Sequence, residues 1–367
     1  MDKFLDLFRG SVNPTVRVEK RFSALRLLIA VAIALFIAFL LMCTVSENPG
    51  KDFVTLLVGP LTSKSRTISI FNKLIPLLFT GTAVCLVFSC GQITTACEGA
   101  FYFGAVAATV VAVIPGIPAF LHIPLCLLVA AIAGAVIVMI PTWFNVRYGV
   151  LTIVVALLVT NVFVFLGQYL VANPLRDPTA GFEASYPFAE SAVIPTIGIR
   201  HIHLGLIIGL VLVILGYYLL YHTPFGVEIR TVGNNQKFSQ YSGINISRTA
   251  IVTSLLAGGM AAMGGATEIL ANYPRFVFTG TTNHGWNGIV IAVLCKNNPK
   301  FVPVAAFFLA YLSAAADALN AASKIPPEII NIIQPIIIIF VAATQLLSFW
   351  EHRAIVKASE KMLKEEK

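Results

Sequence analysis

Long apolar runs separated by short polar segments constrain this chain more than any other feature of its sequence. A helix that crosses a bilayer needs about 20 mostly apolar residues, because its backbone polar groups must be paired within the segment. The candidate spans are residues 25–45, 72–90, 100–114, 122–140, 150–171, 204–221, 249–270, 301–322 and 328–350. The run 285–295 is too short to cross alone, so we interpret it as a half-span. The sequence predicts an all-α, polytopic membrane protein with about ten transmembrane segments, including short or broken helices.

Charged residues are few, and the basic ones are clustered. They make up 11% of the 367 residues, whereas a soluble domain carries about 25%. Basic residues gather in 1–24, in 223–247 and in 351–367, which favours a cytoplasmic location for all three segments. Counting the half-span gives ten crossings, and an even number places both termini on the same side of the membrane, in agreement with the charge clusters. Topology therefore accounts for the net charge of +8, and no nucleic-acid partner is expected.

The domain organisation follows from this pattern. Residues 25–350 are expected to form one transmembrane domain, with 1–24 as a cytoplasmic N-terminal segment and 351–367 as a cytoplasmic tail. The longest polar loop, 172–203, lacks a basic excess and is expected to be external. The first apolar run follows a basic, amphipathic stretch, so we interpret it as a retained span rather than a cleaved signal peptide.

The sequence contains no recognisable catalytic or metal-binding cluster. Its six cysteines form no C-x-x-C pair, and most fall in apolar runs, as expected of small buried hydrophobes. His201 and His203 have the spacing of metal ligands, but a third ligand is not evident. Residues 59–65 imitate a phosphate-binding loop but lack its second glycine and its preceding strand. We therefore expect no catalytic residue, metal, cofactor or ATPase on this chain.

One polar segment, 223–247, is punctuated like a pair of short helices. Thr223 can cap a helix that begins at Pro224, and Gly233 is predicted to stop that helix in a left-handed conformation. Either Asn234 or Asn235 can then cap a second helix that ends at Gly243. A basic helix-turn-helix between membrane spans indicates a docking surface.

The same segment resembles the cytoplasmic coupling loop of ABC-importer permeases in the branched-chain amino acid, ribose and nucleoside group. Thr231 and the pair Ser239–Gln240 depart from that family's pattern. The resemblance implies that the segment docks into a cleft of a cytoplasmic ATPase. The residues assigned to this role are Thr223, Phe225, Gly226, Arg230, Gly233, Asn235 and Gly243, and Ile244 also matches the family pattern.

A second resemblance lies where a predicted span is broken by polar residues. The family's N-I-G-x-E-G-Q-x-x-x-G-A element is matched at Glu98, Gly99, Gly104 and Ala105. Its N-I-G is not matched, and Ala100 stands in place of its glutamine. An ionisable group at membrane depth is costly and usually faces protein or a watery path. Glu98 is interpreted either as a cap on the free N–H groups of a half-helix or as a residue of the substrate path.

The half-span 285–295 resembles the family's G-F-D-G-I-A-V-A-L-L-G element, with Asn287 in place of the aspartate and Cys295 in place of the last glycine. Its N-terminus is expected to point into the membrane. Trp286 has two interpretations there: stacking on a planar substrate ring or anchoring at the membrane interface.

Other polar residues within apolar runs are weaker candidates for the substrate path. Asn161 lies in an aliphatic run, where it contacts substrate or only a neighbouring helix. Glu268 follows a row of glycines and alanines at 257–266 that we interpret as a helix-packing face. Asp317 lies one turn from Asn320 in an alanine-rich span and faces either the path or a partner subunit.

Together these resemblances imply one permease subunit of an ABC importer in the bacterial inner membrane. The external segment 174–178 resembles the G-P-L-x-D-P of the nucleoside branch, which favours nucleosides as substrate. The implied partners are an ATPase that carries ATP and Mg, a second and different permease, an external binding protein and membrane lipid. Riboflavin or a simple sugar is an alternative substrate, and an ion-coupled secondary transporter is an alternative class.

Overall fold

The computed structural model describes residues 48–197 and 202–323, with scattered positions from 33 to 46 and at 332, 335 and 336. The helices in this part are α1 (Pro49–Val58), α2 (Lys64–Ser89), α3 (Ala96–Ala112), α4 (Ala119–Tyr148), α5 (Thr152–Ala172), α6 (Gly205–His222), α7 (Pro224–Asn234), α8 (Gln236–Tyr241), α9 (Ile246–Asn272), α10 (His284–Leu294) and α11 (Val302–Ala322). Two isolated β-bridges occur, Arg176 with Ser185 and Thr196 with His203, and no strand is present among these residues. The predicted all-α class is confirmed.

Within the part of the chain that the structure describes, six helical segments are long and apolar enough to cross a membrane. They are α2, α4, α5, α6, α9 and Pro299–Ala322, which contains α11. The helices α3 and α10 are apolar but shorter. Several predictions fall on residues outside the described ones. They concern the segments 1–24 and 351–367 with their basic clusters, most of the spans 25–45 and 328–350, and His201. The total of ten spans and the side of each terminus therefore stay predictions.

Two helices, α2 and α3, start well before the apolar runs that predicted them. α2 begins at Lys64, whereas hydropathy predicts a start at residue 72. α3 begins at Ala96 rather than at residue 100, which places Glu98 inside its first turn. The difference arises because backbone hydrogen bonding defines the helix, and polar residues such as those in 64–72 are compatible with it.

The glycines of α9 allow close packing at the centre of the bundle, where α9 contacts α2, α3 and α4. A Cβ atom added to Gly258 would overlap the carbonyl oxygen of Gly134, and one added to Gly265 would overlap that of Phe101. A Cβ on Gly104 would lie 2.6 Å from the Cβ of Ala262. The prediction of a small-residue packing face is thus confirmed, since backbones approach most closely where side chains are absent.

The chain divides into two compact units. Residues 60–315 form one, which holds every helix from α2 to α10. The other consists of 1–59 with 316–367 and includes α1 and the end of α11. Within this second unit, a Cβ on Gly59 would lie 3.0 Å from the Cβ of Ala318, so α1 ends against α11.

The 173–204 loop is tied to the segment that follows α9. Backbone N–H groups of Phe188 and Ile194 donate to the carbonyls of Pro274 (3.0 Å) and Leu270 (3.2 Å). Asp177 is buried in this loop, where it accepts hydrogen bonds from the hydroxyl (2.6 Å) and N–H (2.9 Å) of Thr179 and pairs with Arg275 at 3.0 Å. These contacts join the loop to residues 270–276.

We expect acid to loosen this loop. The hydrogen bonds from Thr179 and the charge of Arg275 hold the pKa of Asp177 below its ordinary value. A carboxylate with a lowered folded-state pKa stabilises the fold above its unfolded pKa, about 4, and loses that effect as the pH falls through the folded pKa. Asp177→Asn should therefore lower the protection of the amides of residues 176–186 against hydrogen exchange by about tenfold at pH 7. Compared at the same acidic pH, wild type and variant should show similar protection.

The matched control is Glu190→Gln, which removes an exposed acid from the same loop. It should exchange like wild type at pH 7. Equal exchange rates for Asp177→Asn and wild type would show that Asp177 does not hold the loop.

Candidate functional site

The segment 223–247 folds into two capped helices, α7 and α8, as predicted. The Thr223 hydroxyl accepts a hydrogen bond from the Gly226 N–H at 3.0 Å. The Asn235 side chain accepts from the Phe238 N–H at 3.0 Å, so Asn235 rather than Asn234 caps α8. Gly243 follows α8 with a left-handed φ of 78°. Each cap satisfies a backbone donor that the helix itself leaves free.

The prediction for Gly233 is wrong. It lies inside α7, which continues to Asn234, and it has no left-handed conformation. Instead, a Cβ atom on Gly233 would overlap the carbonyl oxygen of Ser89 at the end of α2, and the Gly233 Cα lies beside Gly91. Glycine is required here because two backbones touch, a tertiary contact that turn chemistry does not reveal.

Arg230 and Gly226 lie against the protein rather than reaching away from it. The Arg230 guanidinium lies 4.8 Å from the ring centre of Tyr221, and its Nε donates to the Gly226 carbonyl at 3.4 Å. A Cβ on Gly226 would overlap the carbonyl of Leu219 in α6. Phe225 is half-buried. These residues shape the segment and attach it to α6.

The exposed side of α7 and α8 carries large apolar residues that are absent from the predicted set of docking residues. Val227 is 51% exposed, Phe238 59% and Tyr241 92%. Large apolar side chains at the tip of a polar segment are typical of a protein contact. Their presence within an otherwise polar stretch is the signal that could have identified them. We call Val227, Phe238 and Tyr241 the apolar tip.

Glu98 lies at the N-terminus of α10, the half-helix. Its carboxylate, 1% exposed, accepts hydrogen bonds from the backbone N–H groups of Asn283 (2.8 Å) and Gly285 (2.6 Å). A Cβ on Gly285 would overlap the backbone nitrogen of Glu98, so only glycine allows this approach. Glu98 therefore caps a half-helix, one of the two roles considered for it. It lies in the first turn of α3, and the helix that it caps is α10.

The half-helix is also fixed at its other end. The Ser89 hydroxyl lies 3.2 Å from the carbonyl oxygen of Asn297, just after α10. The same hydroxyl donates to the Cys85 carbonyl of its own helix at 2.7 Å. Lys296 and Asn297 both have positive φ angles, 51° and 57°. Ser89 is also the residue whose carbonyl touches Gly233. The end of α2 therefore contacts both α7 and the end of α10.

The remaining candidates for the substrate path are distributed over the bundle. Trp286 is 44% exposed and Asn287 half-buried, both beside the capped end of α10. Asn161 is exposed on α5, and its side chain donates to the Leu157 carbonyl of its own helix at 2.9 Å. The Glu268 carboxyl interacts with Asn272 and with the charge of Lys73.

Asp317 is exposed and belongs to the second compact unit. Glu98, Trp286 and Asn287 are thus the candidates that the structure brings together.

Long apolar helices, a half-helix capped by a buried carboxylate and a capped polar helix pair define the class of multi-pass membrane transport proteins. The family model described as branched-chain amino acid transport system / permease component matches residues 66–342. The chain belongs to this family, so the predicted resemblance is confirmed.

The chain's relatives include three permeases that are similar over most of both chains. A glucose ABC transporter permease protein of Haloferax volcanii is 28% identical, over 86% of this chain and 86% of its own length. A guanosine ABC transporter permease protein of Bacillus subtilis is 28% identical, over 88% and 94%. A nucleoside ABC transporter permease protein of Lactococcus lactis is 24% identical, over 91% and 94%. This chain is accordingly a transport subunit and not an enzyme.

Proposed function

We propose that this permease subunit imports nucleosides as half of the translocation path of an ATP-driven importer in a bacterial plasma membrane. The similarity to the guanosine and nucleoside permeases, each over most of both chains, supports this substrate class. Similarity to the glucose permease keeps a simple sugar as the second candidate. Riboflavin, which combines a planar ring with a polyol, is a third.

The segment 223–247 is the proposed contact with the cytoplasmic ATPase, which carries ATP and Mg. The apolar tip is the observation that carries this assignment, because exposed apolar residues on a capped helix pair need a protein partner to cover them. Thr223, Asn235 and Arg230 hold the helices in place, and the glycines let them approach α2 and α6. ATP-driven closure of the ATPases would then move α7 and the end of α2 together.

The capped end of α10 is the proposed position of substrate passage. Trp286 offers an exposed ring face there, on which a nucleobase can stack. The other components of the importer are a second, different permease that completes the path and an external binding protein that delivers the substrate. Residues 172–203 would then lie outside the cell.

The test is to purify the tagged chain from its native membrane and identify what comes with it. We expect an ATPase and a second permease by mass spectrometry, and ATP-dependent uptake of labelled guanosine by proteoliposomes of the complex with its binding protein. Uptake of glucose or riboflavin but not of guanosine would reassign the substrate. A chain that purifies alone and moves solute without ATP would instead be a secondary transporter.

A further inference from the structure

A cleft of about 380 Å³ opens at the end of α5, between the 173–204 loop and the loop that precedes α10. Its volume is in the range of small-molecule sites, about 300–1,000 Å³. Its side chains come from these three elements within the 60–315 unit. The polar and aromatic lining residues are Phe165, Gln168, Tyr169, Glu183, Phe278 and Thr279.

The walls of this cleft are held by specific bonds. The amide nitrogen of Gln168 donates to the Thr279 carbonyl at 2.6 Å. The hydroxyl of Tyr102, a fully buried residue, donates to the Phe278 carbonyl at 3.4 Å. The Phe278 ring packs edge-on against Phe276, with ring centres 5.3 Å apart. The loop before α10 is thus attached to both α3 and α5, which gives the cleft a defined shape.

The side chains in the cleft select a chemical class of ligand. Phe165 and Tyr169 are four residues apart, on one face of α5, and are 66% and 61% exposed. Both rings line the cleft, and an aromatic ring offers an apolar face on which a planar group can stack. Glu183 contributes a carboxylate, which accepts hydrogen bonds only, and the carbonyl oxygen of Gln168 is a second acceptor. The described lining includes no lysine or arginine, so it favours a neutral ligand over an anion.

We propose that this cleft binds the nucleoside before it reaches the half-helix, with the base against Phe165 and Tyr169 and its N–H donors on Glu183. This inference rests on the proposed function, since it takes nucleosides as the transported class. A carboxylate accepts two parallel N–H bonds, so the cleft prefers a base that presents two adjacent N–H donors. Guanosine presents two such donors and inosine one. Replacing Glu183 should therefore reduce the preference for guanosine over inosine.

The test measures binding and transport separately in the same complex. Binding of guanosine and of inosine to the purified permease–ATPase complex, without the binding protein, is followed by saturation-transfer NMR. Glu183→Gln should weaken guanosine binding by about tenfold, the effect of losing one charge-assisted hydrogen bond, and change inosine binding less. The double variant Phe165→Ala/Tyr169→Ala should weaken both ligands.

The matched controls are Glu190→Gln and Phe182→Ala, exposed residues of the same loop that do not line the cleft. Both should bind guanosine like wild type. Equal guanosine binding by wild type and the cleft variants overturns the proposal. The proposal is also overturned if the binding protein no longer stimulates ATP hydrolysis in the cleft variants. That result would make the cleft a protein-docking surface.

The two proposals fail differently. Guanosine binding that depends on the cleft, without ATP-driven uptake, leaves the cleft in place and refutes the importer function. ATP-driven guanosine uptake, with guanosine binding unaffected by the cleft variants, supports the importer function and refutes the cleft as the binding site.

Discussion

Replacing Gly233 by valine is expected to abolish ATP-driven uptake while leaving the subunit in the membrane. The added side chain would overlap the Ser89 carbonyl, so α7 must move away from the end of α2. Overpacking of this kind costs about 1–3 kcal/mol, enough to separate α7 from α2 without unfolding the bundle. We expect uptake to fall by at least about tenfold, with ATP hydrolysis continuing because the ATPase itself is unchanged.

The measurement is uptake per ATP hydrolysed in proteoliposomes that contain the whole importer. Gly233→Ala should show a smaller loss in the same direction, because alanine adds only the first overlapping atom. Thr231→Ala is the matched control, since its hydroxyl bonds only to the Val227 carbonyl of its own helix. A wild-type ratio of uptake to ATP in Gly233→Val would rule out transmission through this contact.

Replacing Glu98 by alanine is expected to destabilise the half-helix and impair transport together. The change leaves the N–H groups of Asn283 and Gly285 without their acceptor. A buried unpaired donor costs about 1–3 kcal/mol, so the thermal midpoint of the purified chain should fall by about 5–10 °C. Glu98→Gln keeps one acceptor oxygen but loses the charge that faces the positive end of the α10 dipole, and should lie between wild type and alanine.

This series separates a structural role from a substrate contact. A positioning role predicts that uptake and thermal midpoint fall in the same order, wild type, glutamine, alanine. A direct contact with substrate predicts that Glu98→Gln loses uptake at an unchanged midpoint, and that result would contradict the cap assignment. Glu190→Gln, which replaces an exposed acid, provides the baseline for both measurements.

Local sequence chemistry predicted the features that depend on neighbours along the chain. Thr223 was identifiable as a cap, and Asn235 as one of two candidates with Asn234, because a capping side chain bonds to a backbone N–H only two or three residues ahead. The half-helix was identifiable because a mostly apolar run of eleven residues is too short to cross a bilayer. Both features need no knowledge of the rest of the fold.

Contacts between distant residues were not predictable in this way. The acceptor role of Glu98 was considered, but its donors are 185 and 187 residues away. Gly233 was assigned to a turn because glycine has two uses, positive φ and close approach, and the sequence alone does not distinguish them. The apolar tip was not identified because the exposure of Val227, Phe238 and Tyr241 depends on how α7 and α8 pack, which neighbours along the chain do not determine.

The backbone contacts of α9 also bear on how this chain can change over generations. Gly258 lies against the backbone of Gly134, and Gly265 lies against the backbone of Phe101. A larger residue at either glycine could not be accommodated by a smaller side chain opposite, because the contact is with a backbone carbonyl. Drift elsewhere in an apolar bundle can proceed by small compensating exchanges, but here the first methyl group added forces two helices apart. We therefore expect any substitution of these glycines to be tolerated less well than an exchange among the surrounding aliphatic residues.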